Sequence, residues 1–117
     1  MMIKSDSSER RKFIRVNCPC KVILHNPERV LDTHTENISA GGIRVILNHE
    51  VKEHDLVGLE IYLIAEPVKC EGRIVWVITH RGEFDTGIEF YEISDKDRFV
   101  VDEYIKRVVM EGNCDGK

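Results

Sequence analysis

Val16-Asn17-Cys18-Pro19-Cys20-Lys21-Val22-Ile23-Leu24-His25 decides the fold class. Val16, Cys18, Cys20, Val22 and Leu24 share one parity, and Asn17, Pro19, Lys21 and His25 the other, with Ile23 the exception. A period of two marks a half-buried strand. Pro19 has no N–H to give to a ladder, so this strand lies at an edge or carries a bulge. Working outward, the same alternation recurs down the chain. Asn26-Pro27-Glu28 makes a turn, and residues 29–38 a second strand rich in β-branched residues. Ser39-Ala40-Gly41-Gly42 turns the chain into a third strand, 43–47, and the polar residues 48–55 form a loop. A fourth strand, 56–64, puts Leu59, Ile61 and Leu63 on one face, and 65–67 turns again. In a long fifth strand, 68–79, Val68, Cys70, Ile74, Trp76 and Ile78 share a parity; Trp76 therefore reads as core, and Gly72 permits a bend. After a hairpin at 80–83, Phe84, Thr86, Ile88 and Phe90 align in a sixth strand, 84–91.

The period then lengthens. Ser94 is placed to cap a helix with Asp95 and Asp97 in its first turn, Val101, Tyr104, Ile105 and Val108 form a helical stripe, and Gly112 closes it. The expectation is a mainly β protein: a closed or nearly closed six-stranded antiparallel β-barrel of the split-barrel type, with a C-terminal α-helix over one opening.

At 117 residues the chain is one domain by length, large enough to bury a core without staples. The folded part is expected over 10–112, with flexible tails at 1–9 and 113–117. No apolar run approaches a membrane span, and the polar N-terminus lacks the apolar stretch of a secretory signal, so the expected location is cytoplasmic. A net charge of −4 argues against a partner such as a nucleic-acid polymer, which calls for a basic excess. Eight aromatics (7% of the chain) are also too few for the stacking groove of a single-strand RNA binder. Cys18, Cys20, Cys70 and Cys114 show no zinc spacing and read as reduced thiols, and the five histidines are scattered, so no metal site is expected. No Ser/His/Asp or Cys/His set, carboxylate pair or P-loop can be assembled, which argues against an enzyme.

Two stretches stand out from this plain background. Arg10-Arg11-Lys12-Phe13-Ile14-Arg15 puts four cations into six positions of an acidic protein. Asn37-Ile38-Ser39-Ala40-Gly41-Gly42 combines amide, hydroxyl and two glycines. A solvated charge run and an Asx or Ser turn are their ordinary fates when each is taken alone. Together they suit a ligand that is both anionic and hydrogen-bonding. The guanidinium fork matches phosphate, and also the O6/N7 edge of guanine. Asn matches a base edge, and glycines allow positive φ and close approach of backbone to ligand. A guanine nucleotide with several phosphates meets all of these demands.

Arg11-x-x-x-Arg15 followed by Asn37-x-Ser39-x-x-Gly42 resembles, in order and spacing, the RxxxR and [D/N]xSxxG pattern of the PilZ domain family. Gly72-Arg73-Ile74-Val75-Trp76-Val77 and Gly87-Ile88-Glu89-Phe90 resemble its closing strands, so the likeness runs over about 10–111. The resemblance implies a six-stranded barrel and a receptor for the bacterial second messenger cyclic di-GMP, bound as a ligand with no cofactor. It implies that Arg11 and Arg15 clamp phosphate and guanine, that Asn37 and Ser39 bond a guanine edge, and that Gly41 and Gly42 keep the turn open beneath the base. Asn37 stands where many members have Asp, which keeps an acceptor and loses a charge. Arg10 adds a third guanidinium, which in the family accompanies an intercalated pair of ligands. The arginine loop is expected to fold over the ligand and present a new surface to a protein effector. The alternative is an interaction module of the same family that works without nucleotide. Arg44 and Arg73 read as solvated strand residues, either of them able to border the site.

Overall fold

The computed structural model describes residues 14–63 and 67–112. Six strands, β1 (Lys21–Asn26), β2 (Arg29–Ser39), β3 (Gly42–Leu47), β4 (Leu56–Tyr62), β5 (Pro67–His80) and β6 (Glu83–Glu92), precede one helix, α1 (Asp95–Glu111). They close into an antiparallel barrel in the order β1-β2-β3-β6-β5-β4, as expected from the pattern. The tails assigned to 1–9 and 113–117 lie outside the described residues.

The turns follow local chemistry. Asn26 Oδ1 accepts the Glu28 N–H at 2.9 Å, which closes β1 onto β2. Between β5 and β6, Arg81 (φ 53°) and Gly82 (φ 82°) both occupy the left-handed region, the two-residue turn whose twist matches that of paired strands. Ser94 Oγ accepts the Asp97 N–H at 3.1 Å to start α1, and Gly112 (φ 74°) ends it, its N–H donating to Val108 O at 2.8 Å.

Inward residues of all six strands fill the barrel, Val22, Leu24, Ile38, Val45, Ile61 and Ile74 among them. The helix packs on β2 and β5, and its buried face of Val101, Tyr104, Ile105 and Val108 joins the same core. Burying a side chain of this size contributes roughly 1.5–3 kcal/mol. Cys70 on β5 is pushed up to about 12 by burial, so its thiol stays protonated.

Two sequence expectations are corrected here. The strand read from Val16 begins its ladder only at Lys21. The Val16, Cys18 and Cys20 side chains are buried as predicted, but the backbone bonds are diverted. Thr35 Oγ1 accepts the Cys20 N–H at 3.0 Å and donates to Cys18 O at 2.7 Å, taking groups a ladder would have used. Pro19, lacking an N–H, sits inside this diverted stretch. The second correction concerns the thiols. Cys20 and Cys70 are free, but Cys18 is disulfide-bonded, with its partner outside the described residues.

Candidate functional site

Arg15 of the first motif and Asn37 of the second meet on the outer face of the barrel. Val16 forms a single bridge to Ile38: its N–H donates to Ile38 O at 2.9 Å and its carbonyl accepts the Ile38 N–H at 3.0 Å. This bridge sets the preceding residue beside β2, where Arg15 Nη1 donates to Asn37 Oδ1 at 3.2 Å across 22 residues of sequence. With its oxygen engaged, the Asn37 amide has N–H groups left to donate.

Asn37 faces outward because β2 carries a β-bulge. Thr35 pairs with Val45 and Asn37 with Arg44, so Glu36 is an extra residue opposite no partner. Simple alternation would give Asn37 the inward parity of the buried Thr35. The bulge turns it out, alongside Arg44. A second bulge acts the same way on β5. Ile74 pairs with Ile88 and Trp76 with Gly87, leaving Val75 as the extra residue. The reading of Trp76 and Ile78 as inward is thereby corrected. Past Val75 the parity inverts, Val77 packs toward the core, and Ile78 is 58% exposed.

The Trp76 indole lies across Gly87, where any Cβ would overlap its ring. Gly87 is thus a glycine where a ring occupies the place of a side chain. The turn residues are shaped by packing as well. A Cβ on Gly42 would overlap the Ile88 carbonyl oxygen, and Gly41 O accepts the Phe90 N–H at 2.9 Å. Gly42 therefore serves close approach to β6. The expected use of positive φ is not realised at Gly41 or Gly42. Ser39 is buried, and its Oγ accepts the Gly41 N–H at 3.1 Å and donates to Gly42 O at 3.4 Å. Its hydroxyl staples the turn.

Between these elements lies a cleft of about 170 Å³. Of the predicted site residues, Arg15, Ser39, Gly41 and Gly42 line it, with Asn37 beside Arg15; Arg10 and Arg11 lie outside the described residues. Arg44, which the sequence allowed at the border, also lines it, and so do Val75, Trp76, Gly87 and Glu89, which sequence reasoning did not assign to the site. A lone glycine inside a strand was the one available signal, at Gly87.

The cleft's charges are unequal. Arg44 binds Asp85 with both ends of its fork, Nε to Oδ1 and Nη2 to Oδ2, each at 2.8 Å. That hydrogen bond raises the Arg44 pKa and fixes its charge. On β5, Arg73 Nε donates to Glu89 Oε2 at 2.7 Å, Nη2 makes an ion-pair contact to the same oxygen at 2.5 Å, and the guanidinium lies 5.6 Å from the Tyr91 ring centre. Arg15 differs from both: among the described residues its partner is a neutral amide. The arrangement offers one uncompensated guanidinium, an amide donor and an aromatic face around a glycine-floored cleft, which suits an anion bearing flat, hydrogen-bonding rings. Among the described residues no group of three His, Cys, Asp or Glu side chains converges to hold a metal. No helix among them is long and apolar enough to cross a membrane.

Comparison with known proteins bears on the family and the fold. The family model described as PilZ domain matches residues 9–107. An uncharacterized protein of Aquifex aeolicus (strain VF5) is 28% identical over 104 residues, covering 88% of this chain and 51% of that protein. Among solved structures, the Bacillus subtilis inhibitor of motility (MotI/DgrA) superposes with a TM-score of 0.77 at 23% identity, covering 87% of this chain and 52% of that one. Escherichia coli YcgR in complex with c-di-GMP superposes with a TM-score of 0.75 at 15% identity, covering 88% and 47%. The chain spans about half the length of these relatives, and at such identities the two structures show the shared fold.

Proposed function

This chain belongs to the PilZ domain family, and from that premise we propose that it is a cyclic di-GMP receptor whose arginine segment closes on the ligand and signals to a protein effector. PilZ domains are ligand-binding domains, so the chemistry required is recognition, and no reaction is assigned. The observation that carries the reading is Arg15. It stands at the cleft rim beside Asn37 with no carboxylate among the described residues to neutralise it, while the neighbouring cleft arginine, Arg44, is paired with Asp85. A free fork is what a phosphodiester or the O6/N7 edge of guanine requires. YcgR, of the same fold, was solved with c-di-GMP bound. Trp76 offers a π face beside Gly87, and the Asn37 amide can donate to a base or a phosphate.

Arg11 and Arg10 extend the cationic rim in this reading. Arg11 shares the clamp with Arg15, and Arg10 meets the second member of an intercalated ligand pair. Signalling follows from the arginine segment changing conformation as it closes. Retention of Arg15 beside Asn37 favours this over a nucleotide-independent interaction module.

The test is a thermal melt of the protein with cyclic di-GMP, GTP or a short RNA, followed by calorimetry. A shift selective for cyclic di-GMP is expected. Equal shifts with GTP or RNA, or none, would overturn the receptor reading. Calorimetry should count two ligands per chain, and Arg10→Leu should lower the count to one. A wild-type count of one discards the paired ligand alone.

A further inference from the structure

We propose that Glu89 is the residue that selects guanine over other purines, by accepting the donors of the base's Watson–Crick edge. This inference rests on the receptor reading and adds a specificity determinant to it. Glu89 projects from β6 on the outer face, between Gly42 on β3 and Arg73 on β5. It is the one carboxylate among the described residues lining the cleft.

The two arginine–carboxylate pairs of this face are built differently. Arg44 spans Asp85 side by side, one nitrogen to each oxygen, and leaves that carboxylate saturated. Arg73 approaches Glu89 end-on, with Nε and Nη2 both on Oε2. Oε1 has no hydrogen-bond partner among the described residues. The pair thus presents an oriented acceptor whose charge Arg73 already balances, and the Tyr91 ring steadies Arg73 from one side. That balance matters, because an uncompensated carboxylate would repel a dianionic ligand.

The acceptor fits one base. Guanine carries two adjacent donors, N1–H and the 2-amino group, on a single edge, and the two lone pairs of Oε1 can take both. Adenine puts an acceptor at N1, which would face Oε1 lone pair to lone pair. Hypoxanthine keeps N1–H and lacks the amino group. Ser39 cannot take this role without releasing the turn, since its hydroxyl is bonded at both ends to Gly41 and Gly42. A site built around a buried or oriented hydrogen-bonding group discriminates by leaving that group unpaired with the wrong partner.

The experiment is calorimetry of wild type, Glu89→Ala and Glu89→Gln against cyclic di-GMP, cyclic di-IMP and cyclic di-AMP, with a melt of each variant to establish folding. Wild type should bind cyclic di-IMP roughly 10-fold more weakly than cyclic di-GMP, and cyclic di-AMP more weakly still, as expected for losing one charge-assisted bond or for gaining a repulsion. Glu89→Ala should weaken cyclic di-GMP and bring the ratio between cyclic di-GMP and cyclic di-IMP close to one. If Glu89→Ala fails to fold, Glu89→Gln carries the same comparison and should narrow the ratio. Wild-type affinity and an unchanged ratio in a folded variant would overturn the inference while the receptor reading stands. Tighter binding after removal of Glu89 would also overturn it, identifying Arg73 as a ligand contact that Glu89 restrains. Failure of wild type to bind cyclic di-GMP overturns both.

Discussion

The two halves of the barrel obey different rules. Around β1 and β4 the ladders β1–β2, β1–β4 and β4–β5 run without a register shift. Their outward side chains satisfy one another: His25 Nε2 lies 3.1 Å from Glu60 Oε2, the Tyr62 hydroxyl donates to Glu60 Oε1 at 3.1 Å, and Lys21 sits 5.5 Å from the Tyr62 ring centre. Around β2, β3, β5 and β6, both the β2–β3 and the β5–β6 ladders carry bulges. Here, among the described residues, outward groups are left with capacity to spare: a guanidinium on a neutral amide, a carboxylate oxygen without a donor and an indole face. The regular half spends its polar groups on itself. The bulged half re-aims side chains that alternation would have buried, and the cleft is made from them.

The largest effect that would sharpen this contrast is on stability. Gly42→Val should destabilise the protein by about 3 kcal/mol, because its Cβ meets the immovable Ile88 carbonyl. Gly58→Ala on the regular half, whose Cβ would sit 3.4 Å from that of His25, should change the urea midpoint little. Similar midpoints for the two would break the distinction. Next comes affinity: Arg15→Ala should lower cyclic di-GMP binding by roughly 10- to 150-fold, the value of a charge-assisted bond of about 1.5–3 kcal/mol, while leaving the melt unchanged. Arg11→Ala should behave alike, and retention of wild-type affinity in both variants would remove the arginine clamp. Asn37→Ala should cost less, about 0.5–1.5 kcal/mol of binding, as neutral hydrogen bonds do. Ser39→Ala should register in the denaturation midpoint more than in calorimetry, because its hydroxyl holds the turn.

The smallest effect lies on the opposite face. Hydrogen bonding to His25, and then to Tyr62, lowers the Glu60 pKa. A carboxylate depressed in the native state contributes stability above its ordinary titration range, and that contribution fades as pH falls through the native value. Glu60→Gln should therefore remove a shallow part of the acid limb of the stability profile and leave ligand binding untouched. A change in cyclic di-GMP affinity would show that the two faces are coupled.

The same division explains what could be read from the chain. In the regular half, inward Val22, Leu24, Leu59 and Ile61 follow directly from a period of two, because nothing interrupts it. The helix, with its Ser94 cap and Gly112 stop, was equally legible, being set by local chemistry. Arg15 and Asn37 were picked out through the spacing of the family pattern, and the fold sets them side by side. Trp76 was misplaced because Val75 carries no local mark of a bulge; the extra residue exists only relative to β6. Glu89 was missed, and Arg44 was only allowed at the border, for a related reason. Their roles depend on which residue of a distant strand stands opposite, and no window of sequence contains that information. Gly42 was singled out for its turn, but its requirement for glycine comes from the neighbouring strand.

The Val16–Ile38 bridge gives this cleft a fulcrum. Arg15 lies at the cleft, while its neighbour Ile14 lines an apolar groove with Ile105 and Val109 of α1. The pair of hydrogen bonds that pins Val16 therefore anchors a short segment that reaches both places. A ligand that draws on the Arg15 guanidinium thus draws on a segment that also lines the groove against α1.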